Sequence, residues 1–562
     1  MGSIDDSSIE ANAADSISPL SVFSIHRIAI VGAGPSGLAA AKHLLAEGFL
    51  SSQIDIYEQQ ADVGGVWNYS SVTSPEPPRV PQTDARAPLD TPIYSDTPAE
   101  QAKDEYEDYV FDSDEEASTA PGSGACSLPP VSHKEKKPPI FPNPMYDDLH
   151  TNIPHTLMRY SDLGFTADGK GKGTHEDCEI FPSRQVVQEY LLHYARDVRH
   201  LVQFSTQVTN ISLQAPVSDS TQSKIKDKWT VRTRNLLTDV SRVETYDAVV
   251  VASGHYSTPY IPSLPEISAF AAKHPGVISH SKTYRTASAF AGKRVVIVGS
   301  ASSGLDIASQ ISSVCASPLI MSARSPVPED MGAHLGVGDK VRVVGQIKRF
   351  LVDEKGIEVF SSPSQDAEGE EKVERIVDVD AILFCTGYLF TFPFISESSL
   401  PSSTPPLITD GRRVHGLARH FIHTYHPTLV FPALPIKIIP FPLAEAQAAV
   451  FARLWSNRLP LPSHEELQAW DREDEQGKGF EGERVPGKSF HVFPKGGDAR
   501  YINALHDWAL QAHGGQRGKG KEPPFWGAEE LWQRSIYAQA KIQFEKTGRK
   551  AKTLRELGFT HE

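Results

Sequence analysis

Two segments of this chain repeat one pattern: a short apolar run, a glycine-rich loop, and a run of small and apolar residues typical of a helix. The first reads IAIVGAGPSGLAAA over 28–41, and the second reads VVIVGSASSGLDIA over 295–308. A strand, a tight glycine turn and a helix in this order open the parallel sheet of a dinucleotide-binding domain. The sequence therefore predicts an α/β fold with two Rossmann-like dinucleotide-binding domains, each built in three layers.

The first loop has the complete GxGxxG spacing. Gly32 allows the tight turn, Gly34 lets the backbone approach a pyrophosphate, and Gly37 lets the helix pack closely on the strand. The helix N-terminus then offers free N–H groups to the phosphates. Glu58 ends the next apolar run, IDIYE, where a carboxylate can accept hydrogen bonds from a ribose 2′-OH. The predicted cofactor contacts of this loop are Gly32, Ala33, Gly34, Pro35, Ser36 and Gly37.

A second glycine pair follows Glu58 in the string EQQADVGGVW. Gly64 and Gly65 permit another close approach of the backbone, and Trp67 can cover a ring system. In isolation a tryptophan is more often a core residue, but this one follows a dinucleotide fingerprint. We therefore predict that the whole string GGVW, which comprises Gly64, Gly65, Val66 and Trp67, contacts the same cofactor.

The second loop, from Gly299 to Gly304, differs from the first at two places. Ala301 replaces the middle glycine, so a methyl group limits the approach of a pyrophosphate without abolishing the site. The next apolar run ends at Arg324 instead of an acid. A carboxylate there would repel a 2′-phosphate, whereas a guanidinium can bind it with two charge-assisted hydrogen bonds. The first site therefore suits FAD and the second suits NADPH; a solvated surface arginine is the alternative interpretation of Arg324.

Two further buried strands indicate where the chain passes between the domains. They lie in YDAVVVASGH (246–255) and DAILFCTGY (380–388), and each ends in a glycine turn, at Gly254 and at Gly387. The NADPH domain is therefore predicted to be inserted in the FAD domain. The predicted segments are a disordered N-terminus at 1–24, the first part of the FAD domain at 25–256, the NADPH domain at 257–384, and the second part of the FAD domain with a C-terminal helical region at 385–562.

One internal segment has a different composition. From about 70 to 140 the sequence is dominated by Pro, Ser, Asp and Glu, as in SPEPP and FDSDEEAS. Such a segment cannot bury enough apolar area to fold alone, so we predict a mobile insertion, more plausibly a solvated loop than a binding element.

Charge and cysteine content exclude several classes of protein. The formal net charge of −15 argues against broad binding to nucleic acid or anionic membranes. No stretch reaches the roughly 18 apolar residues that a membrane span needs, and the N-terminus lacks the features of a secretory signal.

The sequence has no CxxC pair, so neither a zinc site nor a redox pair is predicted. Four cysteines in so long a chain favour a reducing, cytoplasmic location, with peripheral association at the ER surface as an alternative. The four are Cys126, Cys178, Cys315 and Cys385.

Taken together, the motifs resemble those of the flavin-containing monooxygenases, FAD- and NADPH-dependent enzymes that oxygenate soft nucleophiles. The resemblance covers most of residues 25–465 apart from the insertion, and fungal and yeast members are the most similar. The motifs that carry it are GAGPSG (32–37), GGVW (64–67), LHTN (149–152), FPSRQVVQEYLLHYA (181–195), ASGH (252–255), GSASSG (299–304) and CTGY (385–388).

The resemblance implies a mechanism in which the cofactor carries the chemistry. NADPH reduces FAD, oxygen adds to flavin carbon 4a to give a hydroperoxide, and NADP⁺ stays bound and shields it. A thiol, a sulfide or an amine such as N,N-dimethylaniline then attacks the distal oxygen. The protein orients the cofactors and excludes water.

The resemblance also implies roles for individual residues. Asn152 matches the asparagine beside the flavin and the nicotinamide, and its amide can both donate and accept hydrogen bonds; a turn residue before Pro154 is the alternative. Ser302, Ser303 and Arg324 match NADPH positions. The further cofactor contacts implied by the motifs are Leu149, Thr151, Ser253, Gly254, Gly299, Gly304, Asp306, Thr386 and Gly387.

Related activities remain open. A linking motif, FxGxxxHxxxY in the family, reads HPGVISHSKTY here, with His274 in place of Phe. Tyr284 and Arg285 at its end argue against the related Baeyer–Villiger monooxygenases, and His280 is assigned no proton transfer. An N-hydroxylating enzyme and a non-enzymatic FAD-binding redox protein are further alternatives, whereas a disulfide reductase lacks its cysteine pair. The sequence does not specify the substrate or the choice between S- and N-oxygenation, and it is compatible with a homodimer.

Overall fold

A computed structural model gives the fold of the chain. It describes residues 22–74, 76–94, 137–167, 172–214, 225–363, 372–483, 490–512 and 520–561.

The strands fall into two larger parallel or mixed sheets and several small ones, and they are numbered in chain order. Their bounds are β1 Ile28–Val31, β2 Ile54–Tyr57, β3 Leu163–Thr166, β4 Lys172–His175, β5 Val202–Gln203, β6 Thr206–Leu213, β7 Trp229–Asn235, β8 Ser241–Tyr246, β9 Ala248–Val251, β10 Thr258–Pro259, β11 Ile278–His280, β12 Val295–Val298, β13 Leu319–Ser322, β14 Val341–Val344, β15 Ile347–Leu351, β16 Gly356–Phe360, β17 Val373–Ile376, β18 Ala381–Phe384, β19 Tyr388–Leu389, β20 Leu417–Ala418, β21 Ile422–His423 and β22 Leu429–Val430.

The α-helices are numbered in the same way. Their bounds are α1 Pro35–Ala46, α2 His155–Met158, α3 Arg184–Ala195, α4 Ile267–Lys273, α5 Ser302–Ile311, α6 Glu329–Leu335, α7 Pro440–Trp455, α8 His464–Glu475, α9 Gly497–Leu510 and α10 Ala528–Lys546.

The first sheet has seven strands in the order β20-β21-β22-β9-β1-β2-β5. Its central strand β1 is buried along its whole length and pairs in parallel with both β2 and β9. Ile28 and Ile30 of β1 join an apolar cluster with Leu38 of α1, whereas Ala29 joins a second cluster with Trp229 of β7. Both faces of the sheet are therefore covered, which is why β1 reads as a continuous apolar run.

The second sheet has five parallel strands in the order β11-β18-β12-β13-β14. Val296 of β12 joins an apolar cluster with Phe270 of α4, and Ile297 joins another with Ile307 of α5. This sheet too lies between two covering layers. The predicted α/β class with two Rossmann-like domains is therefore confirmed.

Two chain crossings join the parts of the molecule that carry these sheets. The crossing segments form a short antiparallel pair, β10 with β19. The Tyr260 N–H donates to the Gly387 carbonyl at 2.9 Å, and the Thr386 hydroxyl donates to the Tyr260 carbonyl. The backbone at Gly254 and at Gly387 is left-handed, with φ of +71° and +81°. The domain boundaries that were read from the sequence stay a prediction.

The C-terminal third adds a layer of helices on the first sheet. The segment PLAEAQAAVFARLW lies in α7, which packs between α1 and α9 and is buried at every residue except Pro440. Ser183 caps α3, because its side chain accepts from the Val186 N–H. No helix in the described part of the chain combines the length and the apolar character that a bilayer crossing needs.

Two predictions of disorder need correction. Residues 22–24 are ordered: Phe23 is buried, and its backbone exchanges two hydrogen bonds with the Asn457 side chain. In the insertion, residues 76–94 pack on the rest of the chain through the bridges Gln82–Ile261 and Ile93–Ile140. The composition did not reveal these contacts because their partners are distant in sequence. Residues 1–21 and 95–136 lie outside the described part, where the predictions stand untested.

Candidate functional site

The loop between β1 and α1 needs glycine at its first and third positions. Gly32 has φ +102°, and a Cβ there would lie 2.6 Å from the Ala252 carbonyl oxygen. A Cβ on Gly37 would lie 2.0 Å from the Gly32 carbonyl oxygen. Both clashes are with backbone atoms that cannot rotate away. The two glycines therefore bring the end of β1, the start of α1 and the end of β9 into one compact turn.

The middle glycine of this loop meets the second glycine pair. A Cβ on Gly34 would lie 3.4 Å from the Gly65 Cα, so the two backbones run in contact. Gly34 is also the N-cap of α1 and supplies no side-chain cap, and Pro35 has no N–H. The remaining N–H groups of the first turn, at Ser36 and Gly37, therefore stay available for an anion such as a pyrophosphate.

Glu58 lies against the same loop. Its carboxylate accepts hydrogen bonds from the Ala33 N–H at 2.8 Å and from the Gln60 N–H at 2.9 Å. Burial raises the pKa of Glu58, and these backbone donors oppose that shift. Each carboxylate oxygen keeps a second lone pair, so the group is held at the loop and can still accept from a ribose hydroxyl.

The string GGVW forms the opposite wall of this cradle. Gly64 has φ +113°, and a Cβ on it would lie 2.2 Å from Gln188 Oε1. Residues Gly65–Trp67, with Val66 between them, form one 3-10 turn, and the half-buried Trp67 ring meets the Phe441 ring edge-on at 6.5 Å. Trp67 thus serves the core as well as the cradle wall. Gln188 lies within the motif FPSRQVVQEYLLHYA, but the sequence analysis assigned it no contact, because the pattern does not show that its side chain turns towards Gly64.

The loop between β12 and α5 repeats the geometry of the first loop. Gly299 has φ +112°, and a Cβ on it would lie 2.6 Å from the Cys385 carbonyl oxygen. A Cβ on Gly304 would lie 2.1 Å from the Gly299 carbonyl oxygen. Ala301, at the middle position, is exposed. The first and third glycines are therefore required by packing, whereas the middle methyl group meets no backbone partner like the Gly34–Gly65 contact.

Polar and positive groups gather at the carboxyl edge of the second sheet. Ser302 and Ser303 are exposed in the first turn of α5, whose N-cap residue Ala301 gives no side-chain cap. Arg324 follows β13, is exposed, and has no hydrogen bond or ion pair with any residue in the described ranges. An unpaired guanidinium beside a free helix N-terminus suits a phosphate-bearing ligand.

Asp306 is hydrogen-bonded to two neighbouring side chains. It lies in the second turn of α5, and its carboxylate accepts from the Tyr146 hydroxyl and from Gln310 Nε2 at 3.2 Å. Burial raises the pKa of Asp306. The residue therefore ties the segment before the LHTN motif to α5; both hydrogen bonds go to Oδ2, and the predicted cofactor contact of Asp306 stays a prediction.

The LHTN loop touches both parts of the molecule. Leu149 packs on the apolar cluster around α5, while its carbonyl accepts from the Arg184 N–H at the start of α3 at 3.1 Å. Thr151 is buried, and its hydroxyl donates to the Ile153 carbonyl at 2.8 Å, so its side chain is used within the loop. Asn152 is exposed, and among the described residues its side chain has no hydrogen-bond partner.

The crossing segments contain further predicted residues. Ser253, Gly254 and Gly387 are exposed at the ends of β9 and β18, whereas the Thr386 hydroxyl is used by the Tyr260 carbonyl, as described above. His280 is fully buried. Its Nδ1 accepts from the Lys282 N–H at 3.1 Å, so the proton of the neutral ring lies on Nε2, which is 3.0 Å from the Gly387 carbonyl.

His280 is therefore a structural residue. Burial lowers its pKa to about 4, so the ring stays neutral near pH 7 and holds the second crossing in place.

Arg285, which directly follows the linking motif, also has a structural function, and the sequence analysis missed it. Its guanidinium donates to the carbonyls of Val72, Asn143 and Met145, and so fastens both ends of the insertion to the linking motif.

One buried cluster has the composition of a metal site. The ligand atoms of His420, Asp474 and Glu481 lie within 4.8 Å of one another. However, the Val414 N–H donates to His491 Nε2 at 3.1 Å, which places the proton of neutral His491 on Nδ1, 3.2 Å from His420 Nδ1. His420 then carries its own proton on Nε2, facing Glu481 at 3.4 Å. A protonated nitrogen cannot bind a metal, so the cluster is explained as a hydrogen-bonded network.

Comparison with known proteins agrees with this geometry. The family model described as "Flavin-binding monooxygenase-like" matches residues 143–327, and the one described as "NAD(P)-binding Rossmann-like domain" matches residues 30–87. The chain is 29% identical to the flavin-containing monooxygenase ustF2 of Aspergillus flavus over 91% of this chain and 98% of that protein. It is 26% identical to the thiol-specific monooxygenase of Saccharomyces cerevisiae over 86% of this chain and 84% of that protein.

Solved structures share the fold. The S-allyl-L-cysteine S-oxygenase of Allium sativum superposes with a TM-score of 0.65 at 22% identity, covering 95% of this chain and 96% of that one. A second structure, Tmm from Pelagibacter, superposes with a TM-score of 0.58 at 20% identity. These matches identify flavin-containing monooxygenases as relatives of the chain, and they support an oxidoreductase that uses FAD and NADPH.

Proposed function

We propose that this protein uses NADPH and O2 to oxygenate the sulfur or nitrogen atom of a small nucleophile. One observation carries the proposal: two glycine-rich loops share the same backbone geometry but end on opposite charges, Glu58 in one and Arg324 in the other. An acid suits the free 2′-OH of FAD, and a guanidinium suits the 2′-phosphate of NADPH. Reducing equivalents then have a donor site and an acceptor site in one chain.

The chain's own residues bind and orient in this proposal. Bound FAD supplies the oxygen-activating chemistry, and bound NADPH supplies the hydride. Gly32, Gly34 and Glu58 hold the FAD phosphates and ribose, while Ser302, Ser303 and Arg324 hold the NADPH phosphates. The remaining motif residues assigned to the cradles, namely Ala33, Val66, Ser253, Gly254 and Gly387, contribute backbone.

Asn152 is assigned the position between the two cofactors. Its support is the exposed amide, without a partner in the described ranges, on a loop that touches both α3 and the cluster around α5. An amide there can donate to one group and accept from another, and so fix their relative orientation. Substrate is assigned to the adjoining interface.

Sulfur is the preferred target within this proposal. The relative from Saccharomyces cerevisiae is named a thiol-specific monooxygenase, and it aligns over most of both chains. A Baeyer–Villiger reaction is less well supported, because the linking motif ends in Tyr284 and Arg285, and Arg285 is committed to backbone carbonyls.

A substrate panel tests the proposal. Purified holoenzyme is incubated with NADPH, air and one of four probes: cysteamine, methyl phenyl sulfide, N,N-dimethylaniline or cyclohexanone. We expect faster NADPH oxidation and an isolated disulfide or sulfoxide with the sulfur probes, or an N-oxide with the amine. A lactone from cyclohexanone as the sole oxygenated product would contradict S- or N-oxygenation, and so would the absence of every oxygenated product.

A further inference from the structure

The ordered arm of the insertion, residues 82–94, is here called the strap. At one end its Gln82 exchanges two backbone hydrogen bonds with Ile261, just after β10, at 2.9 and 3.0 Å. At the other end, Ile93 exchanges two backbone hydrogen bonds with Ile140, at 2.9 and 2.8 Å, and the Tyr94 hydroxyl donates to the Leu236 carbonyl at 2.9 Å. The strap therefore runs from the first crossing, after β10, to the covering layer of the first sheet, with both ends fixed.

The middle of the strap contacts the residue next to Glu58. Asp90 Oδ2 accepts from Gln59 Nε2 at 3.2 Å, and the Asp90 carbonyl accepts from Gln207 Nε2 at 2.8 Å. Gln207 Nε2 also donates to Gln59 Oε1 at 3.2 Å, which closes a ring made of the two glutamine side chains, the Asp90 carboxylate and the Asp90 backbone carbonyl. Leu89 packs on the apolar cluster beneath this ring. Asp90 is therefore held in one orientation beside the end of β2.

The position of Gln59 indicates what this ring borders. In a dinucleotide fold the acid at the end of the second strand holds the adenosine ribose, so the following residue lies on the side of the base. Glu58 is that acid here, held at the glycine loop by the Ala33 N–H. We propose that the strap completes the FAD site, with Asp90, Gln59 and Gln207 forming a wall at its adenosine end.

A cation on the other side of Asp90 agrees with this arrangement. Lys282, in the linking motif, is partly buried and donates to the Ser257 carbonyl. Burial lowers the pKa of Lys282, the nearby Asp90 opposes that shift, and Arg285 adds to it. Asp90 thus has hydrogen-bond donors in Gln59 and Gln207, and its charge interacts favourably with Lys282.

The inference concerns retention of FAD, so it does not depend on the substrate. A strap that closes the adenosine end slows the release of FAD, and it leaves the NADPH phosphate site, at the far loop of the second sheet, unchanged. A protein that binds FAD but oxygenates none of the probes would contradict the proposed function and would leave this inference intact.

Three variants test the wall. Asp90→Ala removes the acceptor for Gln59, whereas Asp90→Asn keeps an acceptor oxygen and removes the charge. Asp84→Ala is the matched control, because Asp84 lies in the same strap but is exposed and pairs only locally with Arg86. FAD is removed from each holoenzyme by dialysis. FAD is then titrated with each apoprotein, and the Kd is obtained from the change in flavin fluorescence on binding. The Kd for NADP⁺ and the melting temperature of each apoprotein are measured in parallel.

For Asp90→Ala we expect a Kd for FAD about five- to tenfold above that of the wild type, as for the loss of one partly buried hydrogen bond to a charged acceptor. Asp90→Asn is expected to stay within about twofold, and Asp84→Ala to match the wild type. An Asp90→Ala variant that binds FAD like the wild type would overturn the inference. So would equal losses of FAD affinity, NADP⁺ affinity and apoprotein melting temperature, because these would indicate general loss of structure.

Discussion

Gly37→Ala is expected to yield a protein without bound FAD. The new Cβ would lie 2.0 Å from the Gly32 carbonyl oxygen, and both atoms belong to the backbone of one tight turn. Relief of such an overlap moves α1 away from β1, at a cost of about 1–3 kcal/mol or more, and spreads the loop that would hold the pyrophosphate. The measurement is the ratio of 450-nm to 280-nm absorbance of the purified protein, which is expected to fall to nearly zero.

Gly304→Ala is the matched variant in the second loop, because its Cβ would lie 2.1 Å from the Gly299 carbonyl oxygen. The same geometric damage is expected to leave FAD bound and to abolish reduction of the flavin by NADPH, which stopped-flow absorbance measures. Dithionite should still reduce this variant, as a control for an accessible flavin. If Gly37→Ala retained full FAD, or if both variants lost both cofactors, the assignment of one cofactor to each loop would be contradicted.

Arg324→Ala is expected to raise the Km for NADPH about ten- to hundredfold and to change that for NADH less than about twofold. Charge-assisted hydrogen bonds are worth about 1.5–3 kcal/mol each, and only NADPH carries the 2′-phosphate that can receive them. The exposed guanidinium has no partner of its own among the described residues, so its removal leaves no buried charge behind. Steady-state kinetics with both nicotinamides gives the comparison.

Arg342→Ala provides the control for this experiment. Arg342 is also an exposed arginine of the second sheet, on the neighbouring strand β14, but it pairs with Glu374. Its removal is expected to leave both Km values unchanged. Equal increases in the Km for NADPH and the Km for NADH in Arg324→Ala would show that Arg324 does not bind the 2′-phosphate. Arg324 would then be a solvated surface residue.

The features that could be predicted from the sequence are those determined by residues close together in the chain. Gly32 and Gly37 could be assigned because a turn of this kind tolerates no Cβ, and Glu58 because it ends the next apolar run. The second loop was recognisable for the same reason, although Ala301 breaks the pattern. The structure explains that break: Ala301 is exposed, and no glycine of the described residues meets it as Gly65 meets Gly34, so the middle position has room for a methyl group.

The elements that could not be predicted depend on partners far apart in the chain. The hydrogen bond from the Tyr146 hydroxyl to the Asp306 carboxylate joins residues 160 positions apart, and no local pattern indicates it. The strap has the composition of a solvated loop, and its order comes from contacts such as Asp90 with Gln207, 117 positions away. Composition reports what a segment can bury by itself and carries no information on a partner surface that folds elsewhere.

Isotopic labelling tests the central claim most directly. The purified holoenzyme is supplied with NADPH, ¹⁸O2 and methyl phenyl sulfide or N,N-dimethylaniline, and the product is analysed by mass spectrometry while NADPH and hydrogen peroxide are quantified. The account predicts a sulfoxide or N-oxide that carries one ¹⁸O atom and forms in proportion to the NADPH consumed. Recovery of all reducing equivalents as hydrogen peroxide, with unlabelled or no oxygenated product from either probe, would contradict it.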